Sequence, residues 1–169
     1  PQAFDNYIQP VSTGDDLHRR SVYTDWRRTG HYPAFATFDA PSREFCTINR
    51  QRSNTPLQAL VLLNDAVFIE AAQAMARRSM IDGGDDINAR LDILFGHALA
   101  RPPSREERVI LQTLYVDALD RFQGDATAAE QLATDPCGPL PEGLDMNEAA
   151  AMTTVSNVVL NLDEFVNRP

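Results

Sequence analysis

Guanidinium and carboxylate groups dominate the chemistry open to this chain. Residues 18–54 hold Arg19, Arg20, Arg27, Arg28, Arg43, Arg50 and Arg52 against only Asp25, Asp39 and Glu44. That segment therefore carries +4, while the rest of a chain of net charge −9 carries −13. A guanidinium presents paired N–H donors that match carboxylate, sulfate or phosphate oxygens. Arg43, Arg50 and Arg52, joined by Arg27 or Arg28 and with Trp26 beside them, are candidates for an anion-binding or docking site. The same arginines have an alternative use as ion-pair partners for acids of this domain or a neighbour. Asp39 and Glu44 are the nearest such acids, and in an enzyme they would be the groups placed for proton transfer.

Other chemistries are excluded or unsupported. Every cationic side chain among the 15 is arginine, so neither a Schiff-base lysine nor a phosphate-loop lysine exists in this sequence. No Gly-x-Ser-x-Gly occurs, and no catalytic residue can be assigned. His18, His31 and His97 lie 13 and 66 residues apart, which matches no metal-ligand spacing, so no metal site is expected. Cys46 and Cys137 are too far apart for a CxxC motif; in an oxidising compartment they could pair, but two separate buried thiols are the expectation, and the flanking Phe45 points to simple burial of Cys46. No CxxCH is present, so no cofactor is expected in this chain. A pI near 4.7 argues against nucleic acid as a partner. No apolar run approaches the roughly 20 residues of a membrane span.

These groups must be positioned by elements that the pattern makes mainly helical. The length of 169 residues suits one domain. The reading is a lead-in strap over 1–17 and a single helical domain over 18–166, as the C-terminal part of a longer protein. Val22, Thr24 and Trp26 alternate as a strand would, although helix is also open there. Gly30, Pro33 and Pro41 then interrupt regular structure.

From Thr55 the texture changes. Thr55, Pro56 and Gln58 form a capping-box start, followed by Leu57, Ala59, Leu60, Val61, Leu62 and Leu63. A helix apolar on every side is expected to be buried on every side, so it is read as the central core helix with arginines at its entrance. Asn64 falls on that apolar side and is expected to be structural. Asp65 either caps a second helix or lies within a continuing one. Gly83-Gly84, Pro102-Pro103 and Gly124 mark later helix ends, Ser104 with Glu107 forms another capping box, and Asp145 with Glu148 another. The expected fold is an irregular arginine- and aromatic-rich N-terminal third packed on a bundle of about five helices.

Three long segments carry a family resemblance: Arg19-Arg20-Ser21-Val22-Tyr23-Thr24-x-Trp26-Arg27-Arg28-Thr29, Phe38-Asp39-Ala40-Pro41-Ser42-Arg43-Glu44-x-Cys46-Thr47, and Arg52 to Asp65. Arg101-Pro102-Pro103-Ser104-x-Glu106-Glu107 and the stretch Val155 to Glu164 add to it. Over about residues 18–166 the chain resembles the C-terminal domain of unknown function found in large secreted proteins of planctomycetes and related bacteria. Those proteins often carry a cytochrome-c-like domain at the front. The resemblance implies an extracytoplasmic location, a longer parent chain, and heme in another domain of it. It implies no activity. One departure is Ala66, where such proteins often have proline, which leaves the helix break there open.

The expected role is a non-catalytic interaction domain that docks on the preceding domains of its parent through residues 18–54. The alternative is part of an enzyme that holds an acidic or sulfated glycan through the arginines. A third reading is an electron-transfer accessory beside the cytochrome-like domain.

Overall fold

The computed structural model describes residues 21–23, 33–42, 46–49 and 52–167. Among these the chain is mainly helical and contains no strand. It divides into two compact units, Pro1–Ser53 and Asn54–Pro169.

In the first unit, Ser21–Tyr23 form a single 3-10 turn, so Val22 is not in a strand, while Thr24 and Trp26, the rest of that alternation, lie outside the described residues. Val22 and Tyr23 are exposed, and such a turn gives them no opposing strand to pair with. Helix α1 (Pro33–Thr37) is short and ends on Asp39, whose φ of 56° lies in the left-handed region. Aspartate tolerates that region better than most residues with a side chain.

The second unit begins with α2 (Pro56–Asn64). Its Thr55 side chain accepts from Gln58 N, and Gln58 Oε1 accepts from Thr55 N, closing the expected capping box. Asp65 then ends α2 and caps α3 (Ala66–Gly83), its carboxylate accepting from Val67 N. The two helices are bent by 61° at this residue. The break therefore needs no proline, because an extended Asp65 supplies both the stop and the new cap. Gly84, at φ 57°, closes α3 as the Gly83-Gly84 pair implies.

Helix α4 (Ile87–Leu99) buries Leu91, Leu94, Phe95 and Ala98 on the expected face. It stops on Ala100, a non-glycine residue at φ 57°, just ahead of the proline pair. Helix α5 (Arg105–Gln123) starts on the Ser104–Glu107 capping box and ends at Gly124. Helix α6 (Ala126–Thr134) is short and alanine-rich, α7 (Met146–Leu160) is capped by Asp145, and α8 (Asp163–Val166) is one turn.

The core is organised around α7, and α2 does not have the central place expected of it. Helix α7 packs against α3, α5 and α6 most extensively, and also against α2, α4 and α8. Ala149 to Thr153, Val155 to Asn157, Val159 and Leu160 are all buried. Small residues at 149–151 let neighbouring helices approach closely. The hydroxyls of Thr153 and Ser156 donate to the carbonyls of Ala149 and Met152 within the helix, so their burial leaves no donor unpaired.

Helix α2 buries only Gln58 and Leu62, whereas Leu57, Leu60 and Leu63 are 56%, 57% and 41% exposed. Asn64 is exposed as well and donates back to Leu60 O. The reason is geometric: α2 meets α3 and α7 on one side, and the described residues of this unit offer it nothing on the other. No single described helix is long and apolar enough to cross a membrane.

Candidate functional site

Most of the proposed arginine site falls outside the described residues: Arg27, Arg28, Arg43, Arg50, Trp26 and Glu44 all do, as do His18 and His31. Arg52 is described and exposed. Asp39 is described and half-buried, and its Oδ2 accepts from Ser53 N at 2.9 Å and Ser53 Oγ at 2.6 Å. Two of the resembling segments, the one around Asp39 and the one beginning at Arg52, are thus tied together inside the first unit. His97 is exposed on α4. Cys46 is exposed, not buried as its flank implied, and Cys137 is half-buried; both are free thiols. Among the described residues no cluster of His, Cys, Asp and Glu is arranged to hold a metal.

In the second unit the remaining motifs meet at the start of α8. Arg101 donates to both oxygens of Glu107 at 2.9 Å and to both oxygens of Glu164 at 2.6–3.0 Å. Its guanidinium also lies 5.3 Å from the centre of the Phe95 ring. Bidentate pairs of this kind fix geometry as well as charge. The Arg101 hydrogen bonds hold the Glu107 carboxyl down at about 2, helped by Ser104, whose backbone N–H donates to it. Arg101 likewise lowers Glu164, and the two acids raise Arg101.

Next to Glu164, Asp163 Oδ1 accepts from Asn54 Nδ2 at 2.8 Å and from Asn167 Nδ2 at 2.9 Å. Residues 54, 101, 107, 163 and 164, spread over more than a hundred positions, therefore form one connected cluster. Asp163 and Glu164 thus act as acceptors at the start of α8, for Asn54 and Asn167 and for Arg101 respectively.

Two further polar arrangements had no legible signal. Gln73 on α3 is fully buried. Its Nε2 donates to Leu132 O and Asp135 O, and its Oε1 accepts from Cys137 N. One turn on, Arg77 donates to Ala133 O, Cys137 O and Gly138 O. Together they clamp the loop after α6. Arg90, buried on α4, donates to Gly84 O, Glu148 Oε2 and Tyr115 Oη. Burial raises the Tyr115 hydroxyl, and the Glu148 charge adds to that. Each of these three residues takes partners 56 to 64 positions away along the chain, which only the fold brings near.

The arrangement can do two things. Its ionic and amide clusters fasten loops and helix ends to the α7 core. Its α2 presents an ordered apolar edge of Leu57, Leu60 and Leu63, followed by exposed Val67 on α3. Exposed apolar residues in such a row are the usual mark of a contact surface.

A family model described as PSD1, protein of unknown function (DUF1553), matches residues 2–115. The chain belongs to that family. The match ends within α5, so α6, α7 and α8 lie beyond it even though α7 centres the core. No curated protein and no solved structure matches the chain.

Proposed function

We propose that this chain is a non-catalytic helical interaction domain that docks on preceding domains of a longer, extracytoplasmic, cytochrome-c-linked protein of the planctomycete type. The observation that carries this reading is the row Leu57, Leu60 and Leu63, standing exposed on a fully capped helix that directly follows the arginine-rich segment. A patch of three leucines is small for a free partner. Within one polypeptide the effective concentration reaches the millimolar range, and a small patch then suffices. The +4 charge of residues 18–54 favours an acidic neighbour, because complementary charge steers docking and sets register.

The alternative, part of an enzyme holding an acidic or sulfated glycan on Arg43, Arg50 and Arg52, would use Asp39 or Glu44 for proton transfer. The engagement of Asp39 by two Ser53 donors favours the docking reading, since both bonds give this carboxylate a structural part in joining residues 39 and 53.

The test is amide hydrogen exchange over residues 57–67, in this chain alone and in the full-length protein. Docking requires strong added protection in the full-length protein, lost in a Leu60→Asp variant and reduced in an Arg43→Glu/Arg52→Glu variant. Equal exchange in the two forms would refute it. So would an arginine variant that keeps its protection and loses turnover of a sulfated glycan.

A further inference from the structure

Within the second unit a cleft of about 540 Å³ opens between the start of α3, the end of α5, α6 and the turn that follows it. That volume falls in the range of small-molecule sites. Ile69, Phe122 and Leu132 supply an apolar wall, with Phe122 buried and the other two half-buried. Arg121 and Asp135 stand on the same lining, both exposed, and Gln131 adds an amide.

Ion pairing sets Arg121 apart from most of the described arginines of the unit. Arg78, Arg90, Arg101 and Arg108 each pair with a carboxylate of this chain. Arg121 forms no such pair among the described residues; its guanidinium lies 5.9 Å from the centre of the Phe122 ring. Asp135, the residue that ends α6, lines the same cleft, and among the described residues its carboxylate forms no ion pair with Arg121. What anchors Asp135 is its backbone, through Gln73 Nε2 on its carbonyl, which leaves the side chain at the cleft. A cation and an anion that line one apolar cleft without pairing with each other are complementary to a ligand carrying both charges and an apolar body.

We propose that this cleft binds a small apolar zwitterion, a free amino acid with an aliphatic side chain or a short apolar peptide. Arg121 takes the carboxylate, Asp135 takes the ammonium, and Ile69, Phe122 and Leu132 receive the side chain. Charge-assisted hydrogen bonds at both ends fix orientation, and the wall selects aliphatic over polar side chains.

Calorimetric titration of the whole chain with L-leucine and with the dipeptide Leu-Leu tests this, and the better of the two identifies the source. N-acetylleucine, without the ammonium, and leucinamide, without the carboxylate, should each bind about tenfold more weakly than leucine. Arg121→Ala should erase the preference over leucinamide, and Asp135→Asn the preference over N-acetylleucine. Both changes are at exposed side chains, and unchanged circular dichroism establishes that the fold is kept. Absence of binding by either zwitterion at millimolar concentration overturns the proposal, as does binding that ignores both substitutions.

Discussion

Helix α2 carries five large aliphatic residues in nine positions, and α7 carries two threonines, a serine and two asparagines in fifteen. Composition alone makes α2 the core helix, yet α7 is buried almost throughout and α2 leaves three leucines exposed. The difference lies in neighbours. Helix α7 packs against α2, α3, α4, α5, α6 and α8, and its buried Thr153 and Ser156 satisfy their hydroxyls within the helix. Helix α2 has neighbours on one side, and what it buries there includes Gln58, whose amide oxygen is already used by the cap. Apolar content states what a helix would gain from burial. It does not state whether partners are present.

The contrast can be broken most directly at Met152, which is fully buried on α7. Met152→Ala should cost about 2–5 kcal/mol, read as a lowered denaturant midpoint, because deletion leaves a cavity among tightly packed neighbours. A loss no larger than that of an α2 truncation would show that α7 is not the centre of stability.

A smaller effect should follow at Arg101, which secures the helix that comes after α7. Arg101→Gln should cost about 1 kcal/mol near neutral pH, since the cluster is partly exposed and screened by solvent. Its pH dependence has a definite sign. Glu107 falls from an ordinary 4.5 to about 2 in the folded chain, so its stabilisation is present above 4.5 and fades as pH drops toward 2. Urea titrations of parent and variant should therefore differ by a constant amount above pH 5 and converge near pH 2. A difference that persists at pH 2 would mean that Arg101 acts through packing on Phe95 instead.

The smallest effect is expected at Leu60. In this chain alone Leu60→Ala should change stability by no more than about 0.5 kcal/mol, because the side chain is more than half exposed and alanine is the better helix former. A loss of 2 kcal/mol in thermal or chemical unfolding would reveal that this leucine is covered in solution and would remove the basis for docking there.

Local chemistry was legible wherever a few neighbouring residues suffice. The Thr55–Gln58 and Ser104–Glu107 boxes, the stop at Gly83-Gly84 and the buried face of α4 all follow from short-range pattern. Whether α2 continued through Asp65 was open, because an aspartate with no following proline serves equally as an interior residue or as a cap. The roles of Gln73, Arg77, Arg90 and Arg101 were not legible, since each depends on carbonyls or carboxylates that only the fold brings near.

Helical class, the helix starts and stops other than the break at Asp65, and the charge split between residues 18–54 and the rest were determined by the sequence alone, because each rests on residue type and local spacing. Which helix lies at the centre, and which acids Arg101 binds, were decided only in three dimensions. Burial and ion pairing are properties of neighbours, and the neighbours of α7 and of Arg101 come from distant parts of the chain.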